Sequence, residues 1–154
     1  MKLNKEILLE INRLCISTTE NPHHKNLIDD ISFNIKKNEI VGLIGESGSG
    51  KSLTSLSILG LLEKNKFNIS GEIIFNNKNL LNLNNNEMME IRGAEISMIF
   101  QEPMSALNPT MKIGEQLFEV FKAHENLSFE HTTKRIKKLI KKVKLDNIDN
   151  LLEK

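Results

Sequence analysis

The chain has 154 residues and carries 21 basic against 20 acidic side chains. That length suffices for one domain with a packed core, and a net charge of +1 does not indicate a nucleic-acid partner. The sequence contains no apolar run of about eighteen residues, so it predicts no transmembrane helix, and its first residues lack the apolar core of a signal peptide. Cys15 is the only cysteine, which excludes an internal disulfide and favours a cytosolic protein.

The first part of the chain has strand patterns. Residues 7–16 predict a bulged strand or a strand pair, and residues 31–35 alternate as a half-buried strand does. The apolar run at residues 40–44 is typical of a strand buried in a parallel sheet. The buried side of the first segment is predicted to carry Leu9, Ile11, Leu14 and Ile16.

A glycine-rich loop follows the run at residues 40–44 and matches the phosphate-binding pattern GxxxxGK[ST]. Its glycines allow backbone conformations and close phosphate approach that a Cβ would block, and its N–H groups, with those of the following helix, attract anions. We expect Lys51 to reach the β- and γ-phosphates of a nucleotide and the Ser52 hydroxyl to ligate Mg²⁺. The predicted nucleotide-binding residues are Gly45, Glu46, Ser47, Gly48, Ser49, Gly50, Lys51, Ser52 and Leu53.

Further elements are predicted beyond this loop. A helix with a broad apolar surface spans residues 53–62, a strand spans residues 67–75, and Asn76-Asn77 favours a hairpin turn. Residues 86–92 predict a short helix with Asn86 as a possible N-cap. Residues 96–100 predict a second core strand.

Two helices are predicted near the end of the sequence, at residues 113–123 and 129–145. The second has an apolar face of Ile136, Leu139, Ile140 and Val143. No linker is evident that would divide the chain into two domains.

The segment Gln101-Glu102-Pro103-Met104-Ser105-Ala106-Leu107-Asn108-Pro109 resembles the Q-loop of ATP-binding cassette ATPases. The whole chain is similar to the N-terminal part of the peptide/nickel importer ATPases of that family, from about residue 8 to about residue 122 and more weakly beyond. The resemblance implies an α/β P-loop cassette fold: an antiparallel β region, a RecA-like core and the start of a helical subdomain. It implies a nucleotide-binding core at about residues 1–100, a Q-loop at about 101–112 and the helical subdomain from about 113 to 154.

The resemblance also implies roles and partners. Gln101 would contact Mg²⁺ and the attacking water, and its amide can both donate and accept. ATP and Mg²⁺ are the implied cofactors. The implied partners are a transmembrane permease and a second ATPase subunit. The resemblance also implies that the chain is peripheral on the inner face of the membrane. The implied permease contacts are Glu102, Pro103, Met104 and Leu107.

The sequence departs from the family pattern in two respects. The family's signature motif, Walker B acidic pair and switch histidine are not present within the 154 residues, so we expect a truncated, split or deliberately shortened chain that hydrolyses ATP very slowly alone. The family's adenine-stacking aromatic is replaced by Ile16-Ser17-Thr18, which places base selectivity in question.

Residues 134–144 are strongly basic with an apolar stripe. Such a segment is either a membrane-surface or nucleic-acid helix or, as we prefer, a packed helix with solvated outer faces.

The leading function is an ATP-binding importer subunit. The alternatives are a non-catalytic remnant that binds nucleotide or docks without turnover, a small P-loop kinase or GTPase, and a cassette protein acting on DNA or ribosomes.

Overall fold

A computed structural model describes residues 6–20, 26–102, 106–125 and 127–154. The described residues form two compact units, Met1–Met89 and Glu90–Lys154. The elements in chain order are β1 (Ile7–Thr18), β2 (Ile28–Lys36), α1 (Lys51–Ile58), β3 (Phe67–Phe75), β4 (Lys78–Asn79), a 3₁₀ turn (Leu80–Asn82), α2 (Asn85–Ile91), α3 (Ile113–His124), α4 (Phe129–Lys142) and α5 (Ile148–Glu153). The mixed α/β class and the antiparallel β region are therefore confirmed.

The first unit is built on an antiparallel sheet with the strand order β2-β1-β3-β4. The predicted buried side of β1 is confirmed, because all four of its apolar residues are buried: Leu9, Ile11, Leu14 and Ile16. These positions alternate, skip one residue, and alternate again, so one face can stay buried only if an extra residue bulges out. The bulge lies there, with register shifts against both neighbouring strands and Arg13 at φ 49°.

The bulge in β1 requires a glycine in the strand beside it. Gly71 of β3 has φ 98°, and a Cβ on it would lie 2.4 Å from the carbonyl oxygen of Arg13. Residues 67–75 form one strand, as predicted. The strand ends in the predicted hairpin, where Asn76 and Asn77 both have positive φ and Phe75 pairs with Lys78 across a two-residue turn.

The predicted short helix forms as α2, but its cap is Asn84 and not Asn86. The Glu87 N–H donates to Asn84 Oδ1 at 3.1 Å, and the Asn84 N–H donates to Glu87 Oε2 at 2.8 Å. This reciprocal pair is a capping box, which needs an acidic residue three positions after the cap. Asn84 has Glu87 at that spacing, whereas Asn86 has Met89.

The two strands predicted for a parallel core are not formed, and both predictions are wrong for this structure. Residues 40–44 are irregular, with Ile40 and Ile44 at 100% and 96% exposure. Residues 96–100 contain only an isolated bridge between Ile96 and Arg92, and Ile99 is 92% exposed. The described residues offer no strand that pairs with either segment, and a strand buried in a parallel sheet depends on such neighbours.

The second unit contains the predicted helices α3 and α4 and an additional one, α5. Within α4 the predicted apolar face is only partly buried, because Ile136 and Ile140 are covered while Leu139 and Val143 are exposed. The helix ends at Lys142, three residues before the predicted end. The Lys144 N–H donates to the Lys141 carbonyl and the Leu145 N–H to the Ile140 carbonyl, with Lys144 at φ 59°; this is a Schellman ending.

The start of α3 is held by the end of α5. The Ile113 N–H donates to the Lys154 carbonyl at 3.0 Å, and Lys112 Nζ lies 2.5 Å from Glu153 Oε2. The hydrogen bond and charge of Glu153 raise the pKa of Lys112 above its ordinary value. Among the helices of the described residues, none has the length and apolarity that a membrane span requires.

The Gly71→Ala substitution should destabilise the first unit severely. A Cβ there meets the Arg13 carbonyl, and the left-handed backbone is unfavourable for alanine, so we expect a loss of about 3 kcal/mol or more. Gly42→Ala is the matched control, because a Cβ at Gly42 meets nothing within 4 Å. Urea unfolding followed by circular dichroism measures both, and equal stability of the two variants would contradict the role of Gly71.

Candidate functional site

The glycine-rich loop at residues 45–50 leads directly into α1. The Ser49 N–H donates to the Glu46 carbonyl at 3.2 Å, which turns the loop back on itself. Gly48 and Gly50 have φ values of 79° and 89°, in the left-handed region that glycine adopts without strain. A turn with left-handed residues is the type of backbone from which N–H groups form an anion-binding concavity.

Two glycines are also required by close contacts. A Cβ on Gly45 would lie 2.6 Å from Ser49 Oγ, across the loop. A Cβ on Gly50 would lie 2.8 Å from Ile28 Cγ1 and 3.4 Å from the Leu27 carbonyl oxygen. Gly50 therefore lets the start of α1 rest against the first residues of β2. The antiparallel sheet therefore positions the loop, and residues 40–44 do not form a strand that does so.

The Lys51 ammonium lies inside the loop. Its Nζ donates to the carbonyls of Gly45 and Glu46 at 2.7 and 2.6 Å and to Ser49 Oγ at 3.2 Å. Three donors on one cation match these three acceptors. The charge is thus fixed at the centre of the loop, where an incoming phosphate would meet it.

The beginning of α1 completes an anion site. Gly50 is the N-cap, and within the described residues this helix start has neither a side-chain cap nor an acidic residue in its first turn. First-turn N–H groups have no intrahelical acceptor, and the helix dipole adds positive potential at this end. Ser52 is exposed at the second position of the helix. The loop, the Lys51 ammonium and the Ser52 hydroxyl together fit a polyphosphate carrying Mg²⁺.

The predicted apolar surface of this helix is confirmed in part, because Leu59 and Leu62, which follow the end of α1, are buried. The two buried side chains within the helix are Thr54 and Ser57. Their hydroxyls donate to the carbonyls of Gly50 (3.0 Å) and Thr54 (2.7 Å), so burial leaves neither hydroxyl without a partner. Small hydroxyl residues let the helix pack closely while they satisfy its own backbone, and the bond from Thr54 ties the helix to the loop at Gly50.

The residues of β1 where an adenine ring is expected to stack carry no aromatic side chain. Ile16 is buried, and its carbonyl accepts from the Leu27 N–H at 2.8 Å, beside the contact between Leu27 and Gly50. The sheet register places Phe67 opposite Thr18. Base selectivity remains a prediction, since residues 21–25 between the two strands lie outside the described residues.

Gln101 and the predicted partner loop belong to the second unit. Gln101 and Glu102 are exposed and line a cavity of about 510 Å³ with Phe100 and Ala106. Leu107 is exposed as well. Pro103 and Met104, the other two predicted permease contacts, lie outside the described residues. The predicted contact of Gln101 with Mg²⁺ remains a proposal.

Two residues whose role the sequence reasoning missed fix the backbone at residues 108–111, directly after this loop. Gln116 Oε1 accepts from the Asn108 N–H, while its Nε2 donates to the carbonyls of Asn108 and Met111, each at 2.9 Å. Asn108 Oδ1 in turn accepts from the N–H and hydroxyl of Thr110. The Asn-Pro-Thr sequence is a signal for such an Asx turn. No local pattern indicated that Gln116 would clamp it.

The described residues contain no cluster of three or more metal-ligating side chains. His124 and His131 are both exposed, and His131 Nδ1 is 2.8 Å from Ser128 Oγ. A divalent ion would thus be held chiefly by the phosphates together with single protein ligands such as Ser52.

Comparisons with known proteins give a family and several relatives. The family model described as "ABC transporter" matches residues 28–153. The chain is 40% identical over 147 residues to the oligopeptide transport ATP-binding protein AppD of Bacillus subtilis, covering 95% of this chain and 45% of AppD. It is 42% identical over 122 residues to OppD of Salmonella typhimurium (79% of this chain, 36% of OppD) and 42% identical over 132 residues to the dipeptide transport ATP-binding protein DppD of Bacillus subtilis (85% and 39%).

A solved structure shares the fold. It is described as the ATP binding subunit of an ABC transporter, and it superposes with a TM-score of 0.60 at 24% identity. The superposition covers 95% of this chain and 53% of the chain in that structure. This chain spans less than half the length of the curated relatives named above.

Proposed function

Because this chain belongs to the ABC transporter family, we propose that it binds Mg-ATP at the loop formed by residues 45–52. The observation that carries the proposal is the Lys51 ammonium, held by two loop carbonyls next to an uncapped helix start. The N–H groups of the loop and of α1 bind the phosphates, and Lys51 neutralises the β- and γ-phosphates. Ser52 would hold the Mg²⁺ ion, which would withdraw electron density from the phosphate oxygens.

We further propose that a full-length protein containing this chain hydrolyses ATP to drive peptide import. The names of the relatives support this, since they are oligopeptide and dipeptide transport ATP-binding proteins. Gln101 would orient water and sense the γ-phosphate, a role suited to an amide that donates and accepts. Hydrolysis depends mostly on positioning and charge stabilisation, so it requires more groups than the loop supplies.

The 154-residue chain by itself is proposed to bind nucleotide without appreciable turnover. The apolar segment immediately before the loop is unpaired, with Ile40 and Ile44 almost fully exposed. A loop anchored on one side only, through Gly50 against Ile28, retains the groups that bind phosphate. It lacks the rigid surroundings that hold a water molecule in line with the scissile bond.

Replacing Lys51 tests the proposal. Lys51→Ala should weaken Mg-ATP binding by about 10- to 100-fold, because it removes a charge-assisted hydrogen bond to phosphate. Isothermal titration calorimetry or a fluorescent ATP analogue measures the affinity. Lys64→Ala, at an exposed lysine outside the loop, is the control. Unchanged affinity in Lys51→Ala, with wild-type circular dichroism, would exclude the loop as the nucleotide site.

We also propose that the loop from Glu102 to Leu107 contacts a membrane-embedded permease subunit, which places the assembly at the membrane. The clamp by Gln116 supports this, since it fixes the end of an exposed loop that bears the apolar side chain of Leu107. A loop whose end is already fixed loses less conformational entropy on binding than a loop with a free end. A second ATPase subunit is a further proposed partner.

A charge introduced at Leu107 tests the permease contact. Leu107→Asp in the full-length protein should lower co-purification with the permease at least tenfold, since an apolar contact becomes a buried carboxylate, while Mg-ATP affinity stays unchanged. Leu127→Asp is the control, at another exposed leucine of the second unit. Normal assembly with Leu107→Asp would remove this residue from the interface.

A further inference from the structure

Helix α4 separates its charge and its apolar surface onto opposite sides. Ile136 and Ile140 are buried, whereas Lys138, Lys141 and Lys142 are exposed. At 100° per residue the three lysines lie within about 100° of one another and roughly opposite the two isoleucines. Lys144 follows the helix end and is exposed as well. We call Lys138, Lys141, Lys142 and Lys144 the lysine face.

The charge of the chain is concentrated in this segment. Residues 134–144 hold seven of the 21 basic side chains and no carboxylate, which leaves 14 basic against 20 acidic side chains elsewhere. Three of the seven are paired: Lys134 with Glu130, Lys137 with Asp149, and Arg135 with Glu125. Among the described residues no ion pair involves the lysine face. A net charge of +1 therefore conceals a local cationic surface.

The fold does not require this surface. One or two cations in the last turn satisfy the helix dipole, while like charges four residues apart, as at Lys138 and Lys142, destabilise a helix. Lys144 has φ 59° at a position where glycine is usual. The ion pairs of the described residues therefore give no structural reason for placing these four lysines together.

We propose that the lysine face binds the anionic headgroups of a lipid bilayer. The proposal rests on the proposed function in one respect, namely that the chain works at a membrane. Leu139 and Val143 are exposed beside the lysines, and apolar side chains flanking a basic helix face are typical of a helix that lies on a bilayer surface. Clusters of about four to eight basic residues on an amphipathic helix attract anionic lipid.

The same residues fit a nucleic acid less well. All four free cations are lysines, and the one arginine of the segment, Arg135, is held between Glu125 and the ring of Phe121, 5.2 Å away. Single-stranded nucleic acid is bound by aromatic side chains on which the bases stack, and the lysine face contains none. Lysine charge together with exposed aliphatic side chains suits lipid.

Vesicle flotation with the full 154-residue chain tests the proposal. Vesicles of phosphatidylcholine with phosphatidylglycerol are compared with vesicles of phosphatidylcholine alone, at about 0.15 M and about 0.5 M salt. The variants are Lys138→Gln/Lys141→Gln/Lys142→Gln and, as the matched control, Lys64→Gln/Lys66→Gln/Lys78→Gln at three exposed lysines of the first unit. Glutamine retains helix propensity, and circular dichroism checks the fold.

The wild type and the control should bind anionic vesicles and not neutral ones, and high salt should release them. The α4 variant should lose about fivefold in partition coefficient per lysine removed, or about 100-fold in all. Equal binding by the α4 variant, or no binding by the wild type, would overturn the proposal. Tighter binding of a short RNA than of vesicles, dependent on the same lysines, would overturn it in favour of nucleic acid. Mg-ATP affinity, measured in parallel, shows separately whether the proposed function holds.

Discussion

The phosphate loop depends on the Lys51 ammonium. By donating to the carbonyls of Gly45 and Glu46 it closes the loop around a positive charge. The absence of side chains at Gly45 and Gly50 permits this closure, since one approaches Ser49 and the other rests on Ile28. The neighbouring helix start, which has no acidic residue in its first turn, and the exposed hydroxyl of Ser52 complete the proposed site.

Those parts of the fold that local sequence determines were predictable. The skipped position in the alternation of β1 predicted a bulge, and the structure shows how β3 accommodates it, through Gly71. The turn at Asn76 and Asn77 was predictable because both residues tolerate positive φ. Helices α3 and α4 follow from apolar spacing. The phosphate loop was predictable because its glycines, lysine and hydroxyl occupy a fixed spacing.

The remainder depended on partners far away in sequence. Residues 40–44 and 96–100 have the composition of buried strands, but a strand forms only beside another, and no strand of the described residues pairs with them. The Gln116 clamp was likewise unpredictable, because its hydrogen bonds reach back eight residues to Asn108.

The central claim is that this loop binds a nucleotide through its phosphates. The most direct measurement compares the affinities of the 154-residue chain for Mg-ATP, Mg-tripolyphosphate and adenosine by calorimetry. The account predicts that tripolyphosphate binds within about tenfold of ATP, because the loop contacts the phosphates and not the base, and that adenosine does not bind measurably. Adenosine binding comparable to that of ATP, with no binding of tripolyphosphate, would contradict it.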